Sequence, residues 1–290
     1  MPRAAGVPVS LVSVRTRDGV VLEGVAAHPR GRRRTALIWV HGLGSTFSSG
    51  QPLIRALSVG LNTAGFGYLK LNTRGHGVVT RAGTRLAGAA FEHFGESVHD
   101  VRAAVALAIG SGYRRVILAG HSTGANKVLH YMERTRDPRV AGLILLGPVS
   151  DVAGERKRIG RRALARRVAA AERLARRDPE ALIPRAWGFR SAGRFLSLFR
   201  PGEAEDVFQY YRSDASWTAL RRVRVPLAVI VGSRDEYLDR RAGELVAAFK
   251  RSATGTQAFT GITIPRALHG FRGHEPALAR ALVRWTRTVG

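Results

Sequence analysis

Three kinds of side chain that together can activate a hydroxyl group occur in order along this 290-residue chain. A serine stands at 122, acids cluster at Asp235, Glu236 and Asp239, and histidines follow at 269 and 274. A serine hydroxyl is a poor nucleophile at neutral pH. It attacks a carbonyl carbon only when a base takes its proton and a carboxylate holds that base in the right tautomer. Ser122 lies in Gly120-His121-Ser122-Thr123-Gly124. Glycines two positions away on both sides permit a sharp turn where Cβ atoms would collide with neighbouring backbone. The pentapeptide also arises by chance as a tight turn with an incidental serine, so its flanks decide. The apolar run Val116 to Ala119 leads into it and a helical pattern from Ala125 leads out, the strand, turn and helix of a nucleophile elbow.

The acid and the base follow in the order this chemistry needs. Asp235 comes four residues after the apolar run Leu227 to Val231. Glu236 and Asp239 are near enough to substitute for it, with surface charge or helix capping as their plain alternatives. His269 follows a run ending at Ile264, whereas His274 precedes Glu275-Pro276, where a helix begins. The favoured set is Ser122, Asp235 and His269. Negative charge developing on the substrate oxygen needs backbone amides aimed at it. His41-Gly42-Leu43-Gly44, after the run Thr35 to Val40, offers the amide of Leu43, and Thr123 at a helix N-terminus offers the second. His41 is expected to hold its loop through hydrogen bonds rather than to titrate.

These residues need elements to position them. Residues 9 to 16 and 20 to 27 alternate and are joined by Asp18-Gly19, which predicts a β-hairpin. Thr35 to Val40, Tyr68 to Leu71, Val116 to Ala119, Val140 to Leu146, Leu227 to Val231 and Phe259 to Ile264 are short apolar runs suited to strands buried on both faces. Helical patterns alternate with them at Pro52 to Ala64, Val98 to Ile109, Ala125 to Arg134, Arg241 to Arg251 and Pro276 to Thr286. The alternation predicts an α/β fold with a doubly wound, mostly parallel sheet. From Asp151 to Asp214 the alternation stops. An arginine-rich helical stretch, Glu155 to Arg177, is followed by Trp187, Phe189, Phe195, Phe199, Phe208, Tyr210 and Tyr211. The expected organisation is a core of residues 1–150 and 215–290 interrupted by a helical cap, 151–214, whose aromatics fold over Ser122, with a plain packing layer bearing a solvated basic face as the alternative.

With elbow, acid, histidine and His-Gly loop in place, the chain resembles the α/β-hydrolase superfamily along essentially its whole length. Asn72-Thr73-Arg74-Gly75-His76-Gly77 is similar to a turn seen in many members, where it is mainly structural, so His76 receives no catalytic role. Gly-His-Ser-Thr-Gly with Pro148-Val149-Ser150-Asp151 downstream resembles a subgroup that includes fungal siderophore-esterase-like proteins. The resemblance implies an esterase that forms an acyl-enzyme on a small-molecule ester, with no cofactor and no metal. Acyl transfer, thioester cleavage and peptide cleavage use the same residues and stay open. Dehalogenases and epoxide hydrolases of this fold carry an aspartate where Ser122 stands, and are disfavoured.

Charge raises a rival reading. The chain has 47 basic and 21 acidic residues, a net charge of +26, which suits a polyanion-binding protein. The arginines, however, run from Arg3 to Arg287 without aromatic interleaving or a nucleic-acid-binding motif. No specific nucleic-acid partner is therefore expected. The basic stretch Glu155 to Arg177 extends the expectation to esters carrying carboxylate or phosphate. There is no cysteine, hence no thiol nucleophile or disulfide. Met1 to Arg17 lacks the continuous apolar core of a signal peptide, and the longest apolar stretch, Val140 to Val149, is too short to span a bilayer. A cytoplasmic location is expected.

Overall fold

The computed structural model describes residues 7–31 and 34–289. Residues 1–6 of the stretch read for a leader lie outside them. The expected hairpin forms from β1 (Ser10–Arg15) and β2 (Val21–Ala27), paired antiparallel around Gly19 at φ +90°. There follow β3 (Thr35–Val40), α1 (Gln51–Thr63) and β4 (Gly67–Leu71). A short antiparallel hairpin, β5 (Thr80–Ala82) with β6 (Arg85–Ala87), follows without an apolar run to signal it; Gly83 at φ +64° makes its turn.

The remaining core elements alternate. They are α2 (Ser97–Gly110), β7 (Arg115–His121), α3 (Thr123–Thr135) and β8 (Val140–Leu146). Between β8 and the next sheet strand lie α4 (Asp151–Ile159), α5 (Arg161–Ala175), α6 (Ala192–Phe199) and α7 (Thr218–Arg221). The chain closes with β9 (Leu227–Gly232), α8 (Ala242–Ser252), β10 (Phe259–Ile264) and α9 (Glu275–Val289). The stretch read as one helix from Glu155 is thus two. Gly160, at φ +82°, ends α4 and starts α5, a conformation a side chain would strain.

Eight strands make one sheet in the order β1-β2-β4-β3-β7-β8-β9-β10. The pairs β1–β2 and β2–β4 are antiparallel and every later pair is parallel. Central strands such as β3 and β9 are buried on both faces, which is why they read as unbroken apolar runs. One face packs Leu57 and Leu61 of α1 with Leu278 and Leu282 of α9. The other packs Val101 of α2, Val128 of α3 and Phe249 of α8.

This arrangement fixes where a site can form. Adjacent strands β3 and β7 send their following helices, α1 and α3, to opposite faces of the sheet. Their carboxyl ends therefore separate and leave a crevice, the place where open α/β sheets bind ligands. No helix among the described residues is long and apolar enough to cross a membrane.

Candidate active site

Ser122 sits at that crevice, between the end of β7 and the first residue of α3, with φ +56° and ψ −129°. A non-glycine residue held there costs about 1–3 kcal/mol, which persists only where the surroundings over-determine it. They do so here. The Ser122 amide donates to the Leu146 carbonyl (2.9 Å), and its own carbonyl accepts from Ala125 (2.8 Å). A Cβ on Gly120 would lie 2.2 Å from the Gly124 oxygen, and one on Gly124 would lie 2.2 Å from the Val40 oxygen. Both flanking glycines of the pentapeptide are thus required by backbone contact.

The loop after β3 presses against this turn, since a Cβ on Gly42 would meet the Ser122 Cβ at 2.7 Å. His41 anchors it. The Thr73 amide donates to His41 Nε2 (2.9 Å), so Nδ1 carries the proton and donates to the Gly42 carbonyl (2.8 Å). Burial, reinforced by the Lys127 ammonium, pushes the His41 pKa down to about 3. It stays neutral and holds the loop.

Asp235 and His269 meet across 34 residues of sequence: His269 Nδ1 donates to Asp235 Oδ2 at 2.8 Å. That bond leaves Nε2 as the ring nitrogen free to take a proton. The Asp235 side chain also accepts the Tyr237 amide (3.0 Å). Glu236, a rival for the acid, instead accepts the backbone amide of His269 (2.9 Å) and so ties the two loops together. Asp239 pairs with Arg240 at 2.9 Å. His274 precedes α9 and its carbonyl accepts the Leu278 amide (3.0 Å).

Sequence reasoning gave no role to three residues around this pair. His121 Nε2–H donates to the His269 carbonyl (2.9 Å), with its ring 5.0 Å from the His269 ring. Burial, then the nearby His269, push the His121 pKa down to about 4. The Tyr237 ring stands edge-on to His269 at 4.7 Å. Gly147, at φ +51°, lets the imidazole approach so closely that a Cβ there would sit 2.9 Å from its Cε1. His121 was in view inside the pentapeptide, but its partner is 148 residues away and no local pattern signals it.

A cleft of about 330 Å³ opens over these groups, and Gly42, Leu43, Ser122, Thr123 and His269 all line it. Val149, Asp151 and Tyr237 line it as well. Among the described residues the Ser122 hydroxyl has no hydrogen-bond partner, so hydroxyl and imidazole face one space without being joined. The insertion's aromatics do not line this cleft. Phe195 and Trp187 pack in a separate cluster with Leu196, and Phe208 and Tyr210 pack with Trp217 and Phe249 in the main core. A larger apolar groove of about 950 Å³ lies between α1 and α9, but it holds neither a nucleophile nor an acid–base pair.

Arg74, in the turn similar to one seen in many α/β-hydrolases, is buried against Asp100 (2.9 Å), Asp18 (2.9 Å) and Glu96 (2.5 Å). His76 Nδ1–H donates to the Thr73 carbonyl at 2.9 Å. The turn anchors β4 to α2.

A doubly wound, mostly parallel sheet with a glycine-flanked serine at its switch point is the α/β-hydrolase fold. The family model DUF1749, described as a protein of unknown function, matches residues 8–286, and the chain belongs to that family. No curated protein matches the sequence. Among solved structures, the siderophore hydrolase EstB from Aspergillus fumigatus is similar, with a TM-score of 0.67 and 21% identity over 100% of this chain and 98% of that one. Est1E from Butyrivibrio proteoclasticus has a TM-score of 0.64 and 18% identity over 96% of this chain and 98% of that one. A thermostable carboxyl esterase from Bacillus coagulans has a TM-score of 0.67 and 13% identity over 98% and 99%. At these identities the likeness is one of fold.

Proposed function

We propose that the protein is a serine hydrolase that cleaves carboxylic esters of small molecules through an acyl-enzyme. The observation that carries this reading is the opening of a strained, glycine-flanked serine and a carboxylate-held imidazole onto one cleft. Ser122 Oγ attacks the ester carbonyl carbon while His269 Nε2 takes its proton. Asp235 keeps the Nδ1–H in place and stabilises the imidazolium. The amides of Leu43 and Thr123 meet the oxyanion, whose charge the N-terminus of α3 also favours. Collapse expels the alcohol, which leaves with the proton from Nε2, and water then repeats the cycle on the acyl-enzyme. Catalytic hydrogen bonds often tighten only when substrate is bound, so the unpaired Ser122 hydroxyl fits this cycle.

Residues 1–150 and 215–290 form the catalytic core in this reading, and 151–214 the cap. The supporting contact is narrow: Asp151 at the start of the insertion lines the cleft, while the insertion's aromatics pack elsewhere. A fluorophosphonate is expected to label one serine, Ser122, identified by peptide mass mapping. A folded wild-type protein that resists labelling, or a Ser122→Ala variant that labels equally, refutes the reading.

A further inference from the structure

In a chain with 47 basic residues, no lysine or arginine among the described residues lines the cleft, and the single carboxylate among them that does is Asp151. Asp151 is the first residue of α4, which Ser150 caps by accepting the Ala153 amide (3.2 Å). The Ser150 amide donates to the Tyr210 hydroxyl (2.7 Å), which fixes where the helix begins and hence where Asp151 sits. Among the described residues its carboxylate accepts no hydrogen bond and forms no ion pair. Two guanidiniums, Arg194 and Arg190, attract its charge from nearby without pairing with it. Arg194 of α6 is bound to Glu205 and to Glu92, and Arg190 lies over the Phe199 ring at 5.1 Å. Glu205 repels it from the segment after α6, and His269 faces it from beyond β10.

We infer that Asp151 is a specificity-determining residue that binds an ammonium group on the substrate, so that the cleft prefers cationic esters over isosteric neutral or anionic ones. The inference rests on the serine-hydrolase reading of the same cleft. A half-buried carboxylate without a partner is a standing cost to the fold, and a cation entering the cleft supplies the missing partner. The direction opposes the expectation drawn from the basic insertion: the arginines of Glu155 to Arg177 do not reach the space where the ester reacts.

The environment makes the preference depend on pH. Burial, then repulsion from Glu205, raise the Asp151 pKa from the ordinary 3.8 to about 7. The ammonium preference therefore strengthens as pH rises through 7 and Asp151 ionises. Stability runs the other way. The unfolded chain ionises Asp151 near 3.8 and the folded chain near 7, so between these values the folded state holds one more proton and stability falls as pH rises. Asp151→Asn is accordingly expected to raise Tm at pH 8, whereas a residue that served only the N-terminus of α4 would lower it when neutralised.

The test uses esters matched in shape and differing in charge, with a trimethylammonio, tert-butyl or sulfonate terminus placed on the acyl or the alcohol side. For wild type at pH 8 and low salt, kcat/KM for the cationic ester of one placement should exceed that of its neutral isostere roughly tenfold. The ratio should fall at pH 6, fall with added salt, and approach one in Asp151→Asn. A wild-type ratio near or below one in both placements overturns the inference, as does a ratio that Asp151→Asn leaves unchanged. Equal loss on all three esters would make Asp151 part of the common chemical step and would overturn it too. Should the variant fail to fold, the wild-type pH and salt dependence of the ratio decides. Failure of the underlying reading is separate: no ester is turned over and fluorophosphonate leaves Ser122 unlabelled.

Discussion

Two polar clusters lie near the carboxyl edge of the sheet, and they are built on opposite plans. One is sealed and balanced. The Lys127 ammonium reaches Glu92 at 2.5 Å and Thr73 Oγ1 at 3.0 Å; Glu92 also meets Arg194 at 3.3 Å, and Arg194 is bound to Glu205. Two cations face two carboxylates, all buried, and the chain of contacts runs from the His41 loop to the segment after α6. Burial alone would raise the Glu92 pKa, but Lys127 and Arg194 hold it below the ordinary carboxylate range. The other cluster is open and unbalanced: Ser122 strained, the imidazole with one nitrogen free, and Asp151 unpaired. The buried charges that serve architecture have their counter-charges on the protein. The groups proposed to serve chemistry leave a position for something else.

The sharpest way to break this contrast is to remove the group on which the proposed reaction depends most. Ser122→Ala should lower kcat for ester hydrolysis by about 10⁶-fold, with far-ultraviolet circular dichroism unchanged. Asp235→Asn comes next, at about 10⁴-fold, because the amide favours the wrong imidazole tautomer. If either variant lost structure instead, the open cluster would be architectural after all. In the sealed cluster the effect should fall on stability. Glu92→Gln leaves the buried Lys127 ammonium without its carboxylate, and urea denaturation should show a loss of about 3–5 kcal/mol. The double variant Glu92→Leu/Lys127→Met removes both charges and should recover much of that loss, as it would not if the loss came from something other than the unpaired Lys127 ammonium.

The two clusters differ equally in how far the sequence reveals them. The elbow is visible because its geometry is local: Gly120 and Gly124 are forced by contacts within a few residues or with the neighbouring strand end, and the buried strands around them read as apolar runs. The order of Asp235 and His269 is visible because each follows a strand that places it at the same sheet edge. The sealed cluster has no such signature. Lys127 on α3 reads as an ordinary solvated lysine, and Arg194 is one arginine among many. They lie 35 and 102 positions by chain number from Glu92, the partner they share. The insertion is hard to read for a related reason. Its aromatics suggested a lid over Ser122, but side chains of that size are as well satisfied by packing on one another, as Phe195 is with Phe199 and Trp187. Net charge described the surface and left the cleft undescribed.

Glu236 tests where the boundary between the clusters falls. Sequence position made it a rival to Asp235, yet its carboxylate accepts the backbone amide of His269 (2.9 Å) while Asp235 takes the ring Nδ1–H (2.8 Å). The two neighbouring acids thus hold the same histidine by its main chain and its side chain. Losing the main-chain hold leaves the tautomer intact and loosens only the position of the imidazole. Glu236→Gln should retain a neutral acceptor for that amide, weakening the bond by the difference between a charge-assisted and a neutral hydrogen bond. Glu236→Ala removes the acceptor altogether. The expected series is a decrease in kcat of about threefold for Gln and about tenfold for Ala, with KM little changed, since roughly 1 kcal/mol of orientation is at stake. A loss near that of Asp235→Asn would make Glu236 the orienting acid and reverse the assignment. No loss in either variant would show that His121 and Gly147 suffice to seat the ring.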